Sequence, residues 1–170
     1  MQYIKQMNTP SQAKIFVPPK IYSNMEDANC VFCRIISGKI QARIIGENEN
    51  ALAFLDAFPL ALGHSLIIPK RHYSKIQNMT SIYSCAVFNL ACKLAAIIEK
   101  AVKVNASTIA IHNGKDAGQE VPHVHVHVVP RSANDGAGPI HSMFNLRPKL
   151  SEEEMDLLVD KIKGLTVNNQ

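Results

Sequence analysis

Residues 120–131 read E-V-P-H-V-H-V-H-V-V-P-R, with His123, His125 and His127 separated by single valines. Strict alternation is a strand signature, because every second side chain of a strand shares a face. The three imidazoles then line one face while Val124, Val126 and Val128 enter a core from the other. An incidental or tag-like tract would be contiguous and terminal, whereas this run is internal and flanked by apolar positions. Two chemistries remain. Histidines at i and i+2 can share a metal ion, or one ring can act as a nucleophile that its neighbours orient.

Working outward, 108–112 and 123–130 read as two strands, and the loop 113–120 between them holds Gly114 and Gly118. Glycines there let backbone N–H groups approach an anion closely. Upstream, 42–47 and 51–56 read as a hairpin across a polar turn, and 64–69 as a third short strand, so an antiparallel sheet is expected. The one long helix is 81–102, capped by Thr80 or Ser81, with Ile82, Ala86, Leu90, Leu94, Ile97, Ile98 and Ala101 as its apolar face. A short helix over 29–37 has Asp27 or Asn29 as cap and Gly38 as its left-handed stop, and puts Cys30 and Cys33 on one side. Residues 1–27 read as a flexible extension. The main domain spans 28–131, and 132–170 is a tail with a helix over about 151–163, opened by a Ser-Glu-Glu-Glu capping box.

The 170 residues fit one globular domain, with 46% hydrophobic and 19% charged residues. A net charge of +4 without any Lys/Arg run argues for small anions over nucleic acid. No stretch reads as the about 18–20 apolar residues of a membrane span, and no signal peptide opens the chain. A cytoplasmic protein without membrane partners is expected. A mitochondrial address for the acid-poor N-terminus is the alternative. Of the four cysteines, Cys30-x-x-Cys33 suits metal, and Cys85 and Cys92 are expected in the core.

Further blocks stand in order before the histidines: C-V-F-C at 30–33, A-F-L-D at 53–56, G-H-S-L-I-I-P-K-R-H at 63–72 and N-G-x-x-A-G-Q-E-V at 113–121. With the His-x-His-x-His run they resemble the histidine triad (HIT) family of nucleotide hydrolases and transferases, in its Hint-like or prokaryotic-type branch, from about Cys30 to Arg131. The resemblance implies an α+β fold: a five-stranded antiparallel half-barrel with one long helix, a short N-terminal helix and a C-terminal helix, pairing as a homodimer. It also implies cleavage at the α-phosphate of a purine nucleotide derivative, such as an adenosine phosphoramidate, an aminoacyl-AMP or a dinucleoside polyphosphate. AMP is the retained half, carried on a covalent nucleotidyl-histidine. A nucleotide-binding regulatory module with little catalysis is the alternative.

Carried over residue by residue, the family's nucleophile falls on His125, and His127 orients it. His123 is either a catalytic-face histidine or a metal ligand, since zinc-bearing members pair such a histidine with a C-x-x-C and a more distant histidine, here Cys30, Cys33 and His72. That Cys₂His₂ set closes a tetrahedral shell, so the zinc is expected to be structural and the chemistry to need no cofactor. Gln119 and Glu120 fall where the family contacts phosphate and leaving group. Glu120 is open between a proton donor and a solvent-facing carboxylate. His112 departs from the family's Asn or Gln near the phosphate, and Asn113 and Gly118 complete that edge. Asp56 resembles the acceptor of both ribose hydroxyls, and Val31, Phe32, Ile35 and Phe54 the base pocket. His64 either supports the histidine network or starts a strand.

Overall fold

The computed structural model describes residues 27–167, so the expected N-terminal extension lies almost entirely outside them. The chain divides into two compact units between Ala133 and Asn134. The first contains α1 (Val31–Ile36), β1 (Ile44–Glu47), β2 (Ala51–Leu55), β3 (Ser65–Pro69), α2 (Ser81–Val102), β4 (Ala106–Ala110) and β5 (Val126–Arg131). The strands form one five-stranded sheet in the order β1-β2-β3-β5-β4, antiparallel at every pairing. The expected fold class is therefore the observed one.

β2 and β3 read as continuous apolar runs, A-L-A-F-L and S-L-I-I-P, because both faces of the sheet are covered. Ala51, Ala53 and Ile67 point to one side, with Val126 and Val128 of β5, and meet Val87, Leu90, Ala91, Leu94 and Ile98 of α2. Leu52, Phe54, Leu66 and Ile68 point to the other and meet Cys30, Phe32 and Cys33 around α1. His127, between Val126 and Val128 on β5, belongs by alternation to the α1 side.

Several sequence expectations are corrected. β5 begins at Val126, so His123 and His125 precede the strand. Pro122 has no N–H to donate, the His123 N–H bonds the Val121 carbonyl and the Val124 N–H bonds the Tyr73 carbonyl, which ties this run to the segment after β3. β4 lies two residues earlier than expected because Ala106 pairs with Arg131 at the far end of the ladder. Cys85 and Cys92 are exposed rather than core. The buried stripe of α2 runs through positions 87, 90, 91, 94 and 98, and at 100° per residue both cysteines fall on the opposite side. Ile82 is exposed for the same reason, and Ile97, at the edge of the stripe, is exposed as well. By length and composition alone α2 is long and apolar enough to cross a membrane, which the sequence reading did not find. Its buried stripe is the cover of the sheet.

The second unit carries α3 (Glu152–Val167), which continues past the expected end because Gly164 sits inside the helix instead of stopping it. Its capping box is formed: the Glu154 N–H donates to Ser151 Oγ at 3.2 Å, and the Ser151 N–H to Glu154 Oε2 at 2.8 Å.

Gly63, just before His64, has φ +84°, and a Cβ there would lie 2.8 Å from Val102 Cγ1 and 3.2 Å from Ile98 Cγ2. Gly38 has φ +77° with open space around it. Gly38→Ala should cost only the left-handed strain, about 1–2 kcal/mol. Gly63→Ala should cost about 1–3 kcal/mol more from the forced repacking. Urea unfolding of the two variants measures the difference, and equal losses would show that α2 yields freely beneath Gly63.

Candidate active site and metal centre

The sequence places Cys30 immediately before α1 and Cys33 on its first turn, His72 just beyond β3 and His123 just beyond Pro122. The fold brings all four together. Cys30 Sγ lies 3.4 Å and Cys33 Sγ 3.7 Å from His123 Nδ1, and Cys33 Sγ lies 3.3 Å from His72 Nδ1. A tetrahedral ion with metal–sulfur bonds of about 2.3 Å and metal–nitrogen bonds of about 2.05 Å has S···N edges of about 3.6 Å. The donor set therefore fits such an ion. His123 Nε2–H donates to the Pro69 carbonyl at 3.0 Å, which leaves the Nδ1 lone pair facing the sulfurs. Burial holds the His123 pKa down to about 4, so the ring is neutral at pH 7, as a ligand must be. Burial also pushes the Cys33 thiol up to about 11. A cation would reverse that, since a bound thiolate is compensated by the ion it ligates.

A second cluster starts from the same residue. The main-chain carbonyl of His123 accepts the Nδ1–H of His125 at 2.7 Å. His125 thus keeps an unprotonated Nε2, the form a nucleophile needs. Its ring centroid is 4.9 Å from that of His127, and His127 Nδ1 lies 3.0 Å from His64 Nε2. Burial lowers the pKa of His64 and of His125, and takes His127 down to about 4, so at neutral pH the cluster is uncharged. Asp56 Oδ2 lies 3.4 Å from His64 Nδ1. His64 meets Asp56 and His127 with opposite ring nitrogens, so these three form a chain and not a chelating set.

Two neutral imidazoles with defined hydrogen bonds, next to a Cys₂His₂ cluster on one sheet face, match a known domain pattern. A family model described as the HIT domain matches residues 37–134. The chain belongs to the HIT family. Among HIT relatives, the adenosine 5′-monophosphoramidase HNT1 of Saccharomyces cerevisiae is 40% identical over 105 residues, covering 62% of this chain and 64% of that protein. The adenylylsulfatase HINT3 of Arabidopsis thaliana is 32% identical over 139 residues, covering 82% and 71%. Among solved HIT structures, a zinc-bound histidine triad family protein from Mycobacterium smegmatis is similar with a TM-score of 0.60 and 33% identity, covering 82% of this chain and 97% of that one.

The other residues singled out from the HIT pattern divide by position. Phe32 packs edge-on against both His123 and His125, with centroids 5.8 and 5.2 Å away, and against Phe54. Phe32 and Phe54 are buried, and Val31 and Ile35 pack on their cluster half-exposed. His112 reaches the histidines, its ring 5.3 Å from that of His127. His112 stands two residues beyond Ala110, the partner of His127, so by alternation it falls on the same face as His127. Gly118, with φ +88°, lies beside it, and a Cβ there would make ordinary van der Waals contact with His112 Nδ1 at 3.9 Å. Asn113 turns away: its Oδ1 accepts the Ile76 N–H and its Nδ2 donates to Gln77 Oε1. Gln119 ties the glycine loop to the Ser74 carbonyl, and Glu120 is exposed. Sequence reasoning missed the carbonyls of Pro69 and His123 and the N–H of Leu60, which donates to His64 Nδ1 at 3.2 Å. Main-chain groups carry no signal in a residue pattern.

The lowered histidines make stability pH-dependent. Unfolded rings take up a proton near pH 6.5, whereas folded His127 does so only near pH 4. Between those values the unfolded chain binds more protons, so stability is present above about pH 6.5 and falls as pH is lowered through the window. Thermal melts should show a lower midpoint at pH 5 than at pH 7.5, and His127→Asn should reduce the difference. A flat profile in the wild type would contradict it.

Proposed function

We propose that this chain is a nucleotide hydrolase or transferase that attacks the α-phosphate of a purine ribonucleotide derivative through His125. The observation that carries the reading is the hydrogen bond from His125 Nδ1–H to the His123 carbonyl, which commits the Nε2 lone pair to attack. Relatives named as an adenosine phosphoramidase and an adenylylsulfatase support it.

His125 Nε2 forms a bond to phosphorus while the bond from phosphorus to the leaving group breaks, and that electron pair departs with the leaving group, which takes a proton from solvent. Water then attacks the nucleotidyl-histidine, restoring the free ring and releasing AMP. Neighbours held in place by burial and hydrogen bonds supply orientation, which is worth orders of magnitude. In this reading Asp56 receives the ribose hydroxyls and Phe32 flanks the base, with Val31, Ile35 and Phe54 behind it. His112, Gly118 and Gln119 border the phosphate, and Glu120 the leaving group.

The metal in this reading is zinc, held by Cys30, Cys33, His72 and His123, and it supplies folding energy rather than a reactive water because the four ligands fill its shell. The reading includes a homodimer.

His125→Ala is expected to lose about a thousandfold or more in turnover of adenosine phosphoramidate, while its AMP affinity by calorimetry stays within about fivefold, since ground-state binding rests on other groups. A variant within about tenfold of wild-type turnover would remove His125 as the nucleophile. Wild-type protein that binds AMP but turns nothing over would instead indicate a binding module.

Elemental analysis should find about one zinc per chain. Cys33→Ser should lose both the metal and several degrees of melting temperature. Zinc below about 0.2 equivalents after purification without chelator would exclude a tight structural site.

A further inference from the structure

His64 has two candidate partners at the same nitrogen. The Leu60 N–H donates to Nδ1 at 3.2 Å with hydrogen-bond geometry, while Asp56 Oδ2 stands 3.4 Å away as a charge neighbour, its other oxygen accepting the Phe58 N–H at 2.9 Å. An N–H donor requires a lone pair on the atom it meets, so Leu60 calls for His64 with its proton on Nε2. That Nε2–H then donates to His127 Nδ1, 3.0 Å away, and His127 in turn carries its own proton on Nε2. His127 Nε2 is buried and has no hydrogen-bond partner among the described residues.

We infer that the main-chain N–H of Leu60 sets the tautomers of His64 and His127 in series, so that His127 offers a buried N–H donor beside the nucleophile, with His64 as a positioning residue. Two main-chain groups of opposite polarity then give the two neighbouring rings opposite roles. The His123 carbonyl, acting directly on His125, leaves a lone pair at its Nε2. The Leu60 amide, acting through one intervening ring, leaves a proton at the Nε2 of His127. An anionic phosphoryl oxygen is the acceptor class that such a donor fits. If Asp56 Oδ2 instead accepted a hydrogen bond from a protonated His64 Nδ1–H, both tautomers would reverse and His127 would present a lone pair at Nε2. The catalytic consequence rests on the function proposed above, whereas the tautomers do not.

The test is two-bond ¹H–¹⁵N correlation of the histidine side chains in the full-length protein at pH 7.5. His64 and His127 should both appear as Nε2–H tautomers and His125 as Nδ1–H. His64 or His127 found as Nδ1–H overturns the inference, whatever the protein's activity. Leu60→Pro, which deletes the N–H, should move both residues toward Nδ1–H. An unchanged spectrum in a folded Leu60→Pro protein also overturns it. His64→Gln, which keeps a side-chain donor, should hold His127 as Nε2–H, and His64→Phe should not. If the wild type turns over adenosine phosphoramidate, His64→Phe should lower kcat at least about tenfold with KM within about threefold, and His64→Gln should recover most of that loss. Expected tautomers in a protein without turnover would leave this inference standing and the proposed function refuted.

Discussion

One residue, His123, is held from three directions, and both clusters depend on that. Its Nε2–H is anchored on the Pro69 carbonyl, its Nδ1 faces two cysteine sulfurs, and its own carbonyl holds the next histidine. The ring is fully buried, so none of these groups can fall back on water. A shift of this residue would disturb the candidate metal cluster and the His125 ring together.

The two faces of the sheet divide the remaining work. The α2 face is filled mainly with small and branched side chains, from Ala51 and Ala53 to Val126 and Val128, and the buried Ser65 on it donates its hydroxyl to the Gly63 carbonyl. It supplies the apolar burial that stabilises a domain of this size. The opposite face can therefore carry polar groups, and it holds the cysteine pair, the histidines and Phe32. Burial costs these histidines their charge, as the lowered pKa values record. A neutral ring can ligate or attack, so that loss of charge suits the chemistry.

Much of this was legible because period-two and period-3.6 patterns report directly on burial. The five strands, the long helix and the capping box at Ser151 all stand where such patterns place them, to within a few residues. The Cys30-x-x-Cys33 pair was legible from its spacing, whereas His72 and His123 joined it only through the resemblance to zinc-bearing HIT proteins, and the fold brings the four side chains together. Cys85 and Cys92 were misread because a spacing of seven marks one face of a helix without saying which face is inside. The start of β5 was misread because alternation persists in an extended segment that pairs elsewhere, here with Tyr73. His112 came into the cluster through register, which needs both strands to be placed first.

Leu60 reaches His64 Nδ1 through its main-chain N–H, and the residue is 76% exposed. Nineteen of the twenty amino acids carry that same amide, so the chemistry places almost no demand on which residue stands at this position. Replacing it with alanine would leave the contact intact, and a survey of side-chain substitutions would score the site as tolerant. Proline alone withdraws the donor. A position can thus look silent in a mutational scan and still hold the polarity of a neighbouring ring, and what evolution must preserve there is the path of the backbone between Asp56 and His64, not a letter in the sequence.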